Sequence, residues 1–215
     1  MEGCWATDPE ANVKRPSGAR LRWAVMGVGF IGIVLGCAQV DTYKQKAVSL
    51  AEQARRKATT PPMPCDAKVP DDPATSCVTG KLWCGATVEG TTLGGHHDWD
   101  GDFYNAKFCT PGGDYSGPER VYALDVPEYT SAIVELQSDC VDLDLFAFAF
   151  TWSSGDCPGM DHNIPNCDSN VASGGGEIEL QTFQNPGAYL IGVDGKNGES
   201  GTFRLTVRCE DLARR

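Results

Sequence analysis

The side chains best suited to chemistry fall in one short run, Asp98-Trp99-Asp100-Gly101-Asp102, with His96 and His97 just before it. Three carboxylates (Asp98, Asp100, Asp102) on a glycine turn make a candidate calcium cage, because calcium takes about six to eight oxygen ligands. The run is not an EF-hand loop: glycine stands at its fourth position, and the twelfth is Cys109 rather than glutamate. Asp142 and Asp144 share one face of an extended chain, where like charges call for a cation or for water. Nucleophilic catalysis has less to work with. The histidines are His96, His97 and His162, and the adjacent pair points oppositely on an extended chain. Neither a Gly-x-Ser-x-Gly elbow nor a His-Glu-x-x-His helix is present. The chain is therefore read as non-catalytic. Trp99, Phe103, Tyr104, Phe108 and Tyr115 crowd the same stretch. Such rings either stand out to grip a sugar or a protein partner, or fold back beneath a disulfide of Cys109.

The chain has 10 cysteines. Setting aside Cys4 and Cys37 leaves eight: Cys65, Cys77, Cys84, Cys109, Cys140, Cys157, Cys167 and Cys209. An even set in an exported chain reads as a disulfide framework. A zinc site around Cys157, His162 and Cys167 fails for want of a fourth ligand nearby. Cys157–Cys167 is the expected closure of a Pro/Gly/Asn loop. Cys84 and Cys209 can meet if the first and last strands are antiparallel neighbours. Cys65–Cys77 and Cys109–Cys140 follow by elimination.

Several elements must deliver and hold these groups. Trp23 to Val40 carries no charged side chain, and Lys14, Arg15, Arg20 and Arg22 precede it. A basic stretch followed by an apolar one is an export signal. Val34-Leu35-Gly36-Cys37 resembles a bacterial lipobox, which makes Cys37 the candidate lipidation site of residues 1–37. The alternative is an uncleaved transmembrane helix, about 27 Å long against a hydrocarbon core of about 30 Å. Both place the remainder outside the cytoplasm, tethered to a bacterial outer membrane, periplasm or cell surface. Residues 38–76 read as a spacer, helix-forming at first and ended by Pro61-Pro62-Met63-Pro64.

Residues 77–210 form the expected domain, followed by a tail at 211–215. From Val78 to Cys209 there are 19 acidic and 6 basic residues, so the balance is 6 − 19 = −13, against −11 for the whole chain. That balance argues against nucleic acid, whose binding comes mostly from neutralising phosphates. Apolar residues alternate along Val121–Val126, Ser131–Gln137, Glu177–Phe183, Ala188–Asp194 and Thr202–Cys209. Val141 to Phe150 is apolar on both faces, as in a central strand covered twice. With a first strand near Cys84–Thr91 the count is seven. Turn signals such as Gly174-Gly175-Gly176 and Asn185-Pro186-Gly187 separate them. The expectation is all-β: a jelly-roll-like antiparallel β-sandwich, disulfide-stapled, behind an N-terminal apolar helix and a short spacer.

Gly117-Pro118-Glu119-Arg120-Val121-Tyr122, Val141-Asp142-Leu143-Asp144-Leu145-Phe146, Gly187 to Gly195 and Gly201 to Val207 occur in an order and spacing that resembles the bacterial pre-peptidase C-terminal domain. The resemblance implies a non-catalytic sandwich. Collagen-binding sandwiches of similar fold use calcium, which by analogy points again to Asp98, Asp100 and Asp102. The expected function is envelope or cell-surface binding or structure, with a membrane partner and an envelope protein or glycan as ligand. The alternatives are a calcium-dependent polysaccharide or protein binder using Trp99, Phe103, Tyr104 and Tyr115, and a membrane-assembly subunit held by its helix.

Overall fold

Side chains that alternate apolar and polar with period two can bury one face of an extended chain, and here they build two stacked sheets. In a computed structural model of the chain, residues 55, 61–62, 64–65, 76–109, 113–151 and 157–214 are described. The nine strands among them are β1 (Val78–Leu82), β2 (Thr87–Thr91), β3 (Arg120–Val126), β4 (Thr130–Gln137), β5 (Leu143–Ala149), β6 (Cys167–Asn170), β7 (Gly175–Gln181), β8 (Gly187–Gly195) and β9 (Thr202–Asp211). One short helix, α1 (Gly101–Ala106), lies in the β2–β3 connection. The chain divides into units Met1–Thr60 and Pro61–Arg215, and the sandwich belongs to the second. The apolar run 23–40, Cys37 and most of residues 38–76 lie outside the described residues.

The first sheet has strand order β1-β3-β8-β5-β6 and the second β2-β9-β4-β7. Both expected β-features hold, two sheets and four disulfides, but two details differ from the sequence reading. There are nine described strands rather than seven. One pair, β1 with β3, is parallel. The long β2–β3 connection explains it: the chain crosses to the second sheet in β2, returns at the other end, and enters β3 running alongside β1. The expected first strand also splits. Trp83 to Ala86 forms the turn before β2.

Ala132, Val134 and Leu136 of β4 and Phe203, Leu205 and Val207 of β9 are buried on the inner face, whereas Glu135 and Arg208 stay half-buried on the outer one. β5 is buried on both faces. Leu143, Leu145 and Ala147 join an aliphatic core between the sheets. Phe146 and Phe148 join a second cluster with Trp99, Phe103, Tyr104, Tyr115, Val121 and Leu190. That cluster covers the far face of the first sheet. A strand with apolar neighbours on both sides contributes to two cores at once.

The disulfides are Cys65–Cys140, Cys77–Cys157, Cys84–Cys209 and Cys109–Cys167, with Cα separations of 5.5, 4.7, 5.4 and 5.1 Å. β2 and β9 are antiparallel neighbours, and Cys84 meets Cys209 at their ends. The other three expected pairs are corrected. Cys157–Cys167 does not form: Cys157 binds Cys77 ahead of β1, and Cys167, which opens β6, binds Cys109 beyond α1. The β5–β6 connection is thus pinned to two separate elements instead of being closed on itself. Cys65–Cys77 and Cys109–Cys140 fall with it, and Cys65 instead ties the residues around Pro61 to the β4–β5 connection through Cys140.

The strand directions give the sandwich two distinct ends. The lower end gathers the β1–β2, β3–β4 and β7–β8 turns and the close of β9. The upper end carries the β2–β3, β4–β5 and β8–β9 connections.

Candidate functional site

The upper end holds the densest set of titratable groups. The register of β5 with β8 sets Asp144 directly opposite Asp194, and directly opposed residues share a sheet face. Glu119 stands one residue before β3, whose Arg120 pairs with Val193, so it continues the row on the other side of Asp194. All three carboxylates are fully buried. Like charges so placed repel, and burial penalises each further.

The β2–β3 connection supplies their partners. Asp100 caps α1, its Oδ1 accepting from the Phe103 amide at 2.8 Å. This starts a helix that turns Phe103 and Tyr104 inward. Tyr104 donates its hydroxyl to Asp194 at 2.6 Å, and Tyr115 donates to Asp144 at 2.7 Å. Glu119 Oε1 accepts from the Asp98 amide at 2.8 Å, and Lys196 Nζ lies 2.9 Å from Asp144. Oε2 of Glu119 and Oδ1 of Asp144 are buried without a hydrogen-bond partner among the described residues. Trp99 closes the layer. It stacks on Phe103, meets Phe148 edge-on and donates its indole N–H to the Pro158 carbonyl at 3.0 Å. Gly192 beneath it leaves the room: a Cβ there would stand 3.0 Å from the indole ring.

Burial pushes Glu119 up to about 7, above its ordinary 4.5, against the lowering effect of the amides it accepts from. Asp194 is pushed up to about 8, first by burial and further by the charge of Glu119, against the Tyr104 hydroxyl bond. Asp144 is also raised by burial, with Lys196 and Tyr115 opposing. Tyr104 rises well above its usual 10 through burial and the facing Asp194. The row therefore carries protons near neutral pH, a way to keep three acids together with one lysine beside them.

The residues singled out in the sequence are dispersed by this arrangement. The calcium cage does not assemble: among the described residues no group of three or more His, Cys, Asp or Glu side chains converges on a metal position. Asp100 is consumed as the helix cap, Asp98 turns toward His96 at 3.4 Å, and Asp102 lies exposed in the first helical turn. Trp99, Phe103, Tyr104 and Tyr115 are buried, so they present no binding face. Tyr104 and Tyr115 satisfy their hydroxyls internally, which lets rings of this size enter a core. Asp144 is buried, while Asp142 precedes β5 and donates its amide to Glu199. His96 Nε2 sits 2.7 Å from the Ser76 carbonyl, and His162 Nδ1 accepts from the Gly159 amide within a turn. Glu119, Asp194 and Lys196 were missed in the sequence. For Asp194 a signal existed: it ends the run Leu190-Ile191-Gly192-Val193 on the face of Leu190 and Gly192.

No family model matches the sequence, and no curated protein matches it. Among solved structures, the chain is similar to the pre-peptidase C-terminal domain of a collagenase from Bacillus anthracis, at 15% identity and a TM-score of 0.37, over 66% of this chain and 100% of that one. It is also similar to PliG of Aeromonas hydrophila, a periplasmic lysozyme inhibitor of g-type lysozyme, at 15% identity and a TM-score of 0.33, covering 60% of this chain and 96% of that one. A third similarity is to CorA, a surface-associated copper-binding protein of Methylomicrobium album BG8, at 7% identity and a TM-score of 0.38, over 61% and 98% of the two chains. A pre-peptidase C-terminal domain thus stands among the structural neighbours, at low identity.

Proposed function

We propose that this chain is a non-catalytic, extracytoplasmic module of the bacterial envelope that binds a partner or serves a structural role. Its sandwich is displayed from the membrane by the N-terminal segment, through a lipidated Cys37 or an uncleaved helix. The observation that carries this reading is the closure of all eight downstream cysteines into four disulfides. Such bonds persist in oxidising compartments and are rare where glutathione and thioredoxin keep thiols reduced. The chemistry of the upper end fits a structural role for its acids, because each tyrosine and amide that meets them belongs to the same sealed layer.

The test is location and terminus together. A membrane-impermeant maleimide applied to intact cells after an impermeant reductant is expected to label the domain's cysteines. Mass spectrometry of the native N-terminus is expected to find diacylglyceryl-cysteine at Cys37 or an intact Met1. Labelling only after lysis would contradict the reading. So would robust turnover of a peptide or glycoside panel that is lost in His96→Ala.

A further inference from the structure

The lower end of the sandwich differs in kind from the rest of the surface. Three turns there, β1–β2, β3–β4 and β7–β8, each leave a large aromatic side chain in water: Trp83 is 62% exposed, Tyr129 40% and Phe183 62%. Single exposed apolar residues need no explanation, but aromatics gathered on adjoining turns mark an interaction surface. Tyr129 also lines a cavity of about 420 Å³, together with Glu128, Glu210, Asp211 and the Cys84–Cys209 disulfide. That volume falls within the range of about 300–1,000 Å³ typical of sites that take a small ligand or a single anchoring side chain.

The walls are fixed before anything arrives. Tyr129 has φ of +51°, in the left-handed region where a bulky side chain is strained. Strands hold it there from both sides: its amide donates to the Phe183 carbonyl at 2.7 Å, and its own carbonyl accepts from the Leu212 amide at 2.7 Å. The Asp211 carboxylate is oriented by the Ala213 amide at 2.9 Å. Strain retained in an aromatic at the rim of a cavity is a feature of binding sites, since a preorganised wall lowers the entropy lost on association.

We propose that this end docks a basic polypeptide segment, with a lysine or arginine side chain in the cavity against the Tyr129 ring. The proposal deepens the reading of the chain as a binding module and rests on it. The choice of occupant follows from charge. Glu128, Glu210 and Asp211 share the cavity with an aromatic ring, and a cation satisfies both, by ring stacking and by charge-assisted hydrogen bonds. A neutral sugar would use the ring but leave carboxylates desolvated without compensation. An anionic partner would meet a domain whose balance from Val78 to Cys209 is −13 (6 − 19). Trp83 and Phe183 supply apolar contact on the flanking turns. The chain's own Arg214 and Arg215 follow the cavity wall directly and carry the same chemistry in cis.

The test is calorimetric titration of the intact chain in detergent micelles with a capped, arginine- and lysine-containing pentapeptide. The same peptide with glutamine at each basic position and a chitin oligosaccharide serve as comparisons. Saturable binding of the basic peptide is expected. It should weaken at least about tenfold in Tyr129→Leu and in the double variant Glu128→Gln/Glu210→Gln, and persist in Tyr129→Phe, which keeps the ring. Asp114→Asn, an exposed charge at the upper end, should leave the affinity unchanged. The Glu variants are on the surface, so they remain informative even if Tyr129→Leu fails to fold. Absence of saturable binding overturns the proposal, as does equal loss in Asp114→Asn, which would mean diffuse attraction. Tighter binding of the glutamine peptide or of the oligosaccharide also overturns it, and so does binding that emerges only after Arg214→Ser/Arg215→Ser, which would make the tail the occupant. A blank titration on protein with its disulfides intact and its domain outside the cell removes this proposal alone and leaves the location reading standing.

Discussion

At the upper end of the sandwich four aromatic rings are hidden over a row of acids, and at the lower end three rings stand in water beside acids that line an open cavity. Both ends are built from the same residue types, so composition does not separate them. The connections do. The β2–β3 connection is long enough to fold a helix across the sheet, and its tyrosines reach down to Asp144 and Asp194. The lower turns are too short to cover anything, and their aromatics have no sheet to lie on. An aromatic beside a carboxylate can thus seal a core or form a binding site, and the length of the connection decides which.

The largest effect that should separate the two ends is in packing. Trp99→Ala removes a fully buried indole and is expected to destabilise by about 3–5 kcal/mol in urea unfolding. A loss below about 1 kcal/mol would mean the layer is not a core. The next contrast is in pH dependence. In the unfolded chain Glu119 and Asp194 ionise near 4.5 and 3.8, and in the folded chain they hold their protons up to about 7 and about 8. The folded state therefore binds more protons between those values. Their contribution to stability is fully present below pH 4 and is lost as pH rises toward 8. Thermal melts should show a Tm at least about 5 °C lower at pH 8 than at pH 5, with Asp194→Asn flattening the profile. A Tm that climbs over the same range would contradict the protonated row.

Smaller effects sharpen the comparison. Asp100→Ala removes the cap of α1 and should cost about 1 kcal/mol, while an asparagine there retains most of the capping. If Asp100 held a cation instead, asparagine would fare no better than alanine. At the lower end, Trp83→Ala and Phe183→Ala should each change stability by less than about 0.5 kcal/mol. Unfolding midpoints for these variants equal to that of Trp99→Ala would erase the distinction.

Much of the sandwich was legible because burial of one strand face imposes alternation. β4 and β9 showed it residue by residue, and β5 declared its central position by being apolar on both faces. β6, Cys-Asp-Ser-Asn, lacks β-branched or aromatic residues and gave no such sign; its pairing with β5 makes it a strand. β1 runs parallel to β3, which no local pattern announces. Disulfide partners were legible only where strand neighbours were. Cys84 and Cys209 sit at the ends of paired strands, whereas Cys157 and Cys167 are close in sequence yet drawn to different elements. The acid row was illegible for a related reason. Glu119 lies just outside β3, and only lateral register brings it beside Asp194 and Asp144. Asp98, Asp100 and Asp102 misled because a tight acidic turn serves a helix start as well as it serves a cation.

The most direct measurement is non-reducing peptide mapping by mass spectrometry, on protein taken from native membranes with its thiols blocked at lysis. Cross-linked peptides joining Cys65 to Cys140, Cys77 to Cys157, Cys84 to Cys209 and Cys109 to Cys167 are the predicted result. Eight alkylated, unlinked cysteines would contradict the account at its foundation.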